Sequence, residues 1–152
     1  MDDPSTALTK APTNLYREDE HAWLALQVEA LRSGHLHELD RGNLAEFLTD
    51  MASRDRRELR SRFKVLLQHL LKVRVQPELL TRSWLLTICD QQDEIRTLLG
   101  ELPSLAREQD ELFQSAYSGA IWRASKETGL PVSDFPAQNP WTVKQAMSFQ
   151  AP

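Results

Sequence analysis

A single cysteine, Cys89, among 152 residues rules out an intrachain disulfide, so the fold must stand on packing, and a lone thiol suits a reducing compartment. Glycine is also scarce: five residues are too few for a turn-rich β architecture and leave helix as the dominant element. No apolar run approaches the roughly 20 residues needed to span a bilayer. The opening MDDPSTALTKAP has neither the basic nor the apolar region of a signal peptide. These absences give the expectation of a cytoplasmic protein with no membrane partner. Chemical signatures are missing too. There is no G-x-G-x-x-G, no Walker loop, no nucleophile elbow and no paired-cysteine metal motif, so nucleotide binding of those types and nucleophilic catalysis have no support. No catalytic residue and no cofactor is assigned.

What the chain does have is helical periodicity. Its length suits one domain, expected over 14–147 between a leader at 1–13, which carries Pro4 and Pro12, and a tail at 148–152. A first helix is expected over about 16–32, with Tyr16, Trp23, Leu26, Ala30 and Leu31 on one face and Ser33-Gly34 as its stop. Asp40 suits the N-cap of a second, with Leu44, Phe47, Leu48, Met51 and Ala52 along one side. Phe63, Leu66, Leu67, Leu70 and Leu71 form the strongest stripe of the chain, about a quarter turn from the preceding one on a continuous helix. That offset favours a bend or break near Ser53. A helix over about 78–99 follows Pro77, with Gln91 in the stripe between Ile88 and Ile95. The next opens near Pro103 with an apolar and small-residue face and ends at Thr128-Gly129. Pro131, Pro136 and Pro140 then impose an extended strap anchored by Phe135 and Trp141. Thr142 and Gln145 match a capping box for a short terminal helix. The expected fold is all-α, an antiparallel bundle of four to five helices with this strap.

Charge is segregated. Between Arg54 and Arg74 eight basic residues face only Asp55 and Glu58, while Asp90 to Glu111 holds seven acidic residues against Arg96 and Arg107. Two readings stand: the basic helix is answered by acidic neighbours within the fold, or Arg54, Arg57, Lys64, Lys72 and Arg74 contact an anionic partner.

Leu15-Tyr16 with Asp19 and Trp23, Leu39-Asp40 with Asn43, Arg56-Arg57-Glu58-Leu59, His69-Leu70-Leu71-Lys72, Gln76-Pro77, Ser83-Trp84, Pro103-Ser104-Leu105, Tyr117 with Ala120, Glu127-Thr128-Gly129-Leu130 and Phe135-Pro136 follow one another along the chain. In that order they resemble a bacterial family catalogued as domain of unknown function family 29, over about residues 15–146. The resemblance implies a small all-helical bacterial protein. It implies no activity and supplies no catalytic or binding residue.

Four polar or aromatic residues, Gln27, His69, Trp84 and Gln91, could converge into a polar cluster if neighbouring helices bring them together. His69 has no ligating residue one turn away on its helix, and His35-x-His37-Glu38 with His21 or Asp40 falls short of a metal's ligand set, so no metal site is expected. Cys89 reads as a small apolar filler. The leading expectation is a non-enzymatic protein-interaction or regulatory module whose partner is another protein or a second copy. One alternative is a nucleic-acid-associated protein using the basic helix 54–74. A second is an enzyme or ligand pocket around His69 and Gln91.

Overall fold

The computed structural model describes residues 14–150; the leader expected at 1–13 lies outside the described residues. The elements are α1 (Leu15–Glu18), α2 (Glu20–Ser33), α3 (Arg41–Val75), α4 (Arg82–Glu101), α5 (Gln109–Thr128) and α6 (Val143–Met147), joined through short 3-10 turns. No strand occurs among the described residues, so the fold is all-α. The chain forms two compact units, Met1–Ala52 and Ser53–Pro152, and the boundary between them falls inside α3.

In the first unit Asp19 divides the helix expected over 16–32. Its carboxylate accepts a hydrogen bond from the Ala22 N–H at 2.9 Å, which caps α2 and leaves α1 as one turn. Gly34 closes α2 with φ of 77°, a left-handed conformation that glycine adopts without the strain of a side chain. The buried stripe of α2 is Trp23, Gln27 and Ala30. Leu26 and Leu31 were expected on that face and are instead exposed, because they stand about 60° and 80° to either side of Trp23 and only the centre of the stripe meets a neighbour. Leu48, Met51 and Ala52 of α3 are also exposed, while Leu44 and Phe47 one or two turns earlier are half-buried. The rings of Tyr16 and Phe47 flank Trp23 with centroids at 4.6 and 5.8 Å. Asp40 caps α3, accepting from the Asn43 N–H at 3.3 Å, the Asn43 amide at 2.7 Å and Trp23 Nε1 at 3.2 Å.

α3 is a single helix of 35 residues, about 50 Å long, and the break expected near Ser53 is absent. The segment contains no proline and its one glycine, Gly42, lies in the first turn. Glu58 and Arg62 add an i,i+4 ion pair at 2.8 Å. The quarter-turn offset separates residues that serve different units, Phe47 in the first and Phe63 in the second.

In the second unit Leu59, Phe63, Leu66, Leu67, Leu70 and Leu71 of α3 are at most 1% exposed. At about 1.5–3 kcal/mol for each fully buried large apolar side chain, this row is a major part of the unit's stability. Ile88 and Ile95 of α4 and Phe113, Ala116, Ala120 and Ala124 of α5 complete the cluster, with Phe63 and Phe113 edge to face at 5.1 Å. α4 runs antiparallel to α3, since Arg62 pairs with Glu94 and Lys72 lies over Trp84. α5 runs parallel to α3, since Arg56 pairs with Glu108 and Lys72 with Glu127.

Local chemistry sets the ends. α4 begins at Arg82 rather than near Glu78, because the Thr81 hydroxyl accepts from the Trp84 N–H at 3.3 Å while Pro77 opens a separate 3-10 turn. Pro103 likewise opens a 3-10 turn ahead of α5. Over the bundle lies the C-terminal segment, where Phe135 is buried, Trp141 packs against the core and the Tyr117 hydroxyl donates to the Pro136 carbonyl at 2.6 Å. Thr142 and Gln145 form the expected capping box of α6. Phe149 also packs against the core.

Candidate functional site

Glu127, in the last turn of α5, organises the polar part of the second unit. Its two carboxylate oxygens accept from Gln68 Nε2 at 2.6 Å and from Lys72 Nζ at 2.7 Å. Gln68 and Lys72 are one turn apart on α3 and are both buried, so a single carboxylate satisfies two polar groups that would otherwise be costly to bury. Lys72 is held from a second side by Trp84, with Nζ 4.2 Å from the ring centroid. Burial by itself would raise the Glu127 carboxyl, but the hydrogen bond and charge of Lys72, with His69 and Gln68 adding, hold it below its ordinary range.

His69 stands beside this pair, half-buried on α3. Its Nδ1 lies 2.9 Å from the Val65 carbonyl, which can only accept, so Nδ1 carries the hydrogen and Nε2 of the neutral ring remains an acceptor. Burial pushes the imidazole below its ordinary value; the Val65 bond and Glu127 oppose this and Lys72 adds to it. The ring is therefore neutral at physiological pH. An open groove of about 370 Å³ lies against it, lined by Val65, Gln68, His69, Trp122, Arg123, Lys126 and Glu127. Trp122 is 59% exposed, and Lys126 Nζ sits 5.8 Å from its ring.

Of the four residues expected to form a polar cluster, His69 and Trp84 meet through Lys72, whose ammonium lies over Trp84 and whose charge is felt at His69. Gln27 belongs to the first unit, where its amide oxygen accepts from the Asp40 N–H at 2.8 Å. Gln91 is half-buried and does not line the His69 groove. The buried amide of α4 is Gln92, donating to the carbonyls of Ala146 at 2.9 Å and Phe149 at 3.1 Å. Gln91 and Gln92 lie about 50° to either side of the Ile88–Ile95 stripe, and α6 covers the Gln92 side. Cys89 is exposed rather than packed as a filler, His35 and His37 are exposed, and no cluster of ligating residues that could hold a metal occurs among the described residues.

Arg56, Arg62 and Lys72 are answered within the unit by Glu108, Glu58 with Glu94, and Glu127. Arg57 lines a second groove of about 310 Å³ with Ser53, Arg56, Arg60, Glu111, Leu112 and Ser115. The Lys64 stem crosses Gly119, where an added Cβ would lie 2.9 Å from Lys64 Cδ. Arg74 lines a third groove with Asp134 and Phe135, and Arg54 is exposed. Sequence reasoning missed Gln68, Trp122 and Glu127. Trp122 carried a readable signal, an aromatic on the polar side of its helix with Lys126 one turn on; Glu127 did not, because its partners lie 55 and 59 residues away.

The first unit presents a different surface. Among its described residues only Trp23, Gln27 and Ala30 are buried, while Leu26, Val28, Leu31, Leu36, Leu48 and Met51 are exposed, Leu48 to 56%. No helix among the described residues is long and apolar enough to cross a membrane.

Comparison with known proteins gives one match. The family model described as domain of unknown function DUF29 matches residues 15–150. No curated protein and no solved structure matches the chain.

Proposed function

The chain belongs to that family, DUF29, by a match over nearly its whole length, and we propose that it is a non-enzymatic interaction module of the bacterial cytoplasm whose first unit docks a basic amphipathic helix of a partner protein. The carrying observation is the apolar surface of that unit, where among the described residues six large side chains are exposed against three residues buried. A small unit buries a smaller share of its surface by itself, and large apolar side chains left exposed are candidates for a docking site. Leu48 and Met51 share one side of α3, about 60° apart, an apolar strip on which the apolar face of an amphipathic helix can be laid.

Charge favours a basic occupant. Residues 14–52 carry eight acidic side chains against three basic ones, with Glu46 exposed two residues from Leu48. A net acidic unit beside an apolar strip steers cationic partners and disfavours anionic ones.

The test uses the full chain and a labelled model peptide of leucine and lysine patterned as an amphipathic helix. One-to-one binding is expected, weakening with added salt and falling at least about tenfold, or 1.4 kcal/mol, in L48D/M51D. Both positions are exposed, so circular dichroism should show an intact fold. Peptide binding unchanged by the double substitution sinks the reading. So does a concentration-dependent dimer, seen by light scattering and abolished by L48D/M51D, because the face then belongs to a second copy.

A further inference from the structure

We propose that the groove between α3 and α5 of the second unit binds single-stranded nucleic acid, with Trp122 as the platform on which a base stacks. This goes beyond the docking face of the first unit and does not rest on it. The two helices run parallel, so residues that meet at successive levels build one continuous edge. At one end Arg60 of α3 lines an open hollow with Ser115 of α5. One turn on, the Lys64 stem lies across Gly119. Beyond it a second hollow opens between His69 and the trio Trp122, Arg123 and Lys126. From Arg60 to His69 the edge spans about 14 Å along α3.

Three properties of this edge point to a phosphodiester chain. First, its cations lie in a row: Arg60, Lys64, Arg123 and Lys126 are spread along the groove, which suits an extended polyanion better than a single phosphate. Second, the acidic groups that face them are few. Glu127 is engaged by Lys72 at 2.7 Å, and Glu111 lies at the far end beside Arg56, Arg57 and Arg60. Third, Trp122 is the most exposed large apolar side chain among the described residues, at 59%, on a helix whose other aromatics, Phe113 and Tyr117, are buried. An indole left in water beside two cations has a face for a base and charges for the adjoining phosphates. The neutral His69 ring places an acceptor at the same hollow, where a base edge can donate to it.

An acidic peptide would use the cations and leave the indole idle, so Trp122 is the discriminating residue. Anisotropy of a fluorescein-labelled oligothymidine of about 20 nucleotides, with the full chain at low salt, should report binding. Its log–log salt slope is expected near −3, from about −0.7 for each of the four cations. R60E/K126E should weaken binding at least about tenfold, and W122A about tenfold. The oligomer should also quench indole fluorescence in the wild type and not in W122F, which keeps a stacking ring and serves if the alanine variant is poorly folded. No binding at low salt overturns the proposal. Heparin competing as well as oligothymidine, together with unchanged affinity in W122A, overturns it equally, because simple attraction of opposite charges is then sufficient.

Discussion

Glu127 satisfies two buried groups of α3 at once while keeping about half of its own side chain in water, against 8% exposure for the Lys72 side chain. The arrangement makes this corner of the bundle sensitive to protons. The folded chain holds the His69 proton less tightly than the unfolded one, since burial depresses its pKa. Above the unfolded value of about 6.5 the neutral ring contributes fully, and as pH falls below it the unfolded chain binds the proton first, so stability declines. Glu127 is also depressed, and its contribution, present above the unfolded value of about 4.3, is lost as pH falls further. Two separated steps are expected in the urea midpoint on acidification, and His69→Gln should flatten the upper one while leaving the lower in place. An upper step of unchanged size in that variant would assign it to another group. Neither step follows from sequence alone. The environment of His69 depends on Lys72 and Glu127 meeting across 55 residues, whereas the i,i+4 pair Glu58–Arg62 is local and can be read from spacing.

At the scale of elements, periodicity and caps carried most of the fold. Asp40 and the Thr142–Gln145 box begin their helices, and Gly34 and Gly129 end theirs, where the residue types require it, because each acts within three or four residues of itself. Among the expectations that failed, two concerned which neighbour a helix face meets. The offset between the two stripes of α3 favours a bend or break near Ser53, whereas one helix carries residues of both units. Gln91 was placed in the core of α4 when Gln92 occupies it, since only the position of α6 decides between two amides equally close to the stripe. The continuity of α3 has a direct consequence. Ala52 is exposed in the helix interior, so Ala52→Pro removes a backbone hydrogen bond and adds a ring clash without disturbing side-chain packing. It should destabilise the chain by about 3 kcal/mol, against about 1 kcal/mol for Ala52→Gly, measured by urea unfolding. Proline tolerated at this position would mean that the helix is interrupted there in solution, as the offset of its stripes first suggested.

For the molecule as a whole, the contrast between its two units governs where stability resides. In the second, eighteen apolar residues form one buried cluster; in the first, burial among described residues is confined to Trp23, Gln27 and Ala30, held largely through the hydrogen bonds of Asp40. Local opening is easiest where few apolar contacts must be broken. Amides of α2 should therefore exchange with deuterated solvent at least about tenfold faster than those of residues 63–71, a difference of about 1.4 kcal/mol or more in opening free energy. Mass spectrometry of peptic fragments resolves the two segments. The same measurement bears on the docking reading, because a basic amphipathic peptide seated on Leu48 and Met51 completes the burial that α2 and the start of α3 lack. Protection should then rise across 20–52 and stay unchanged over 63–71. Equal protection of both segments without any peptide would mean that the first unit is already stable with its leucines in water, and the need for a partner to cover them would disappear.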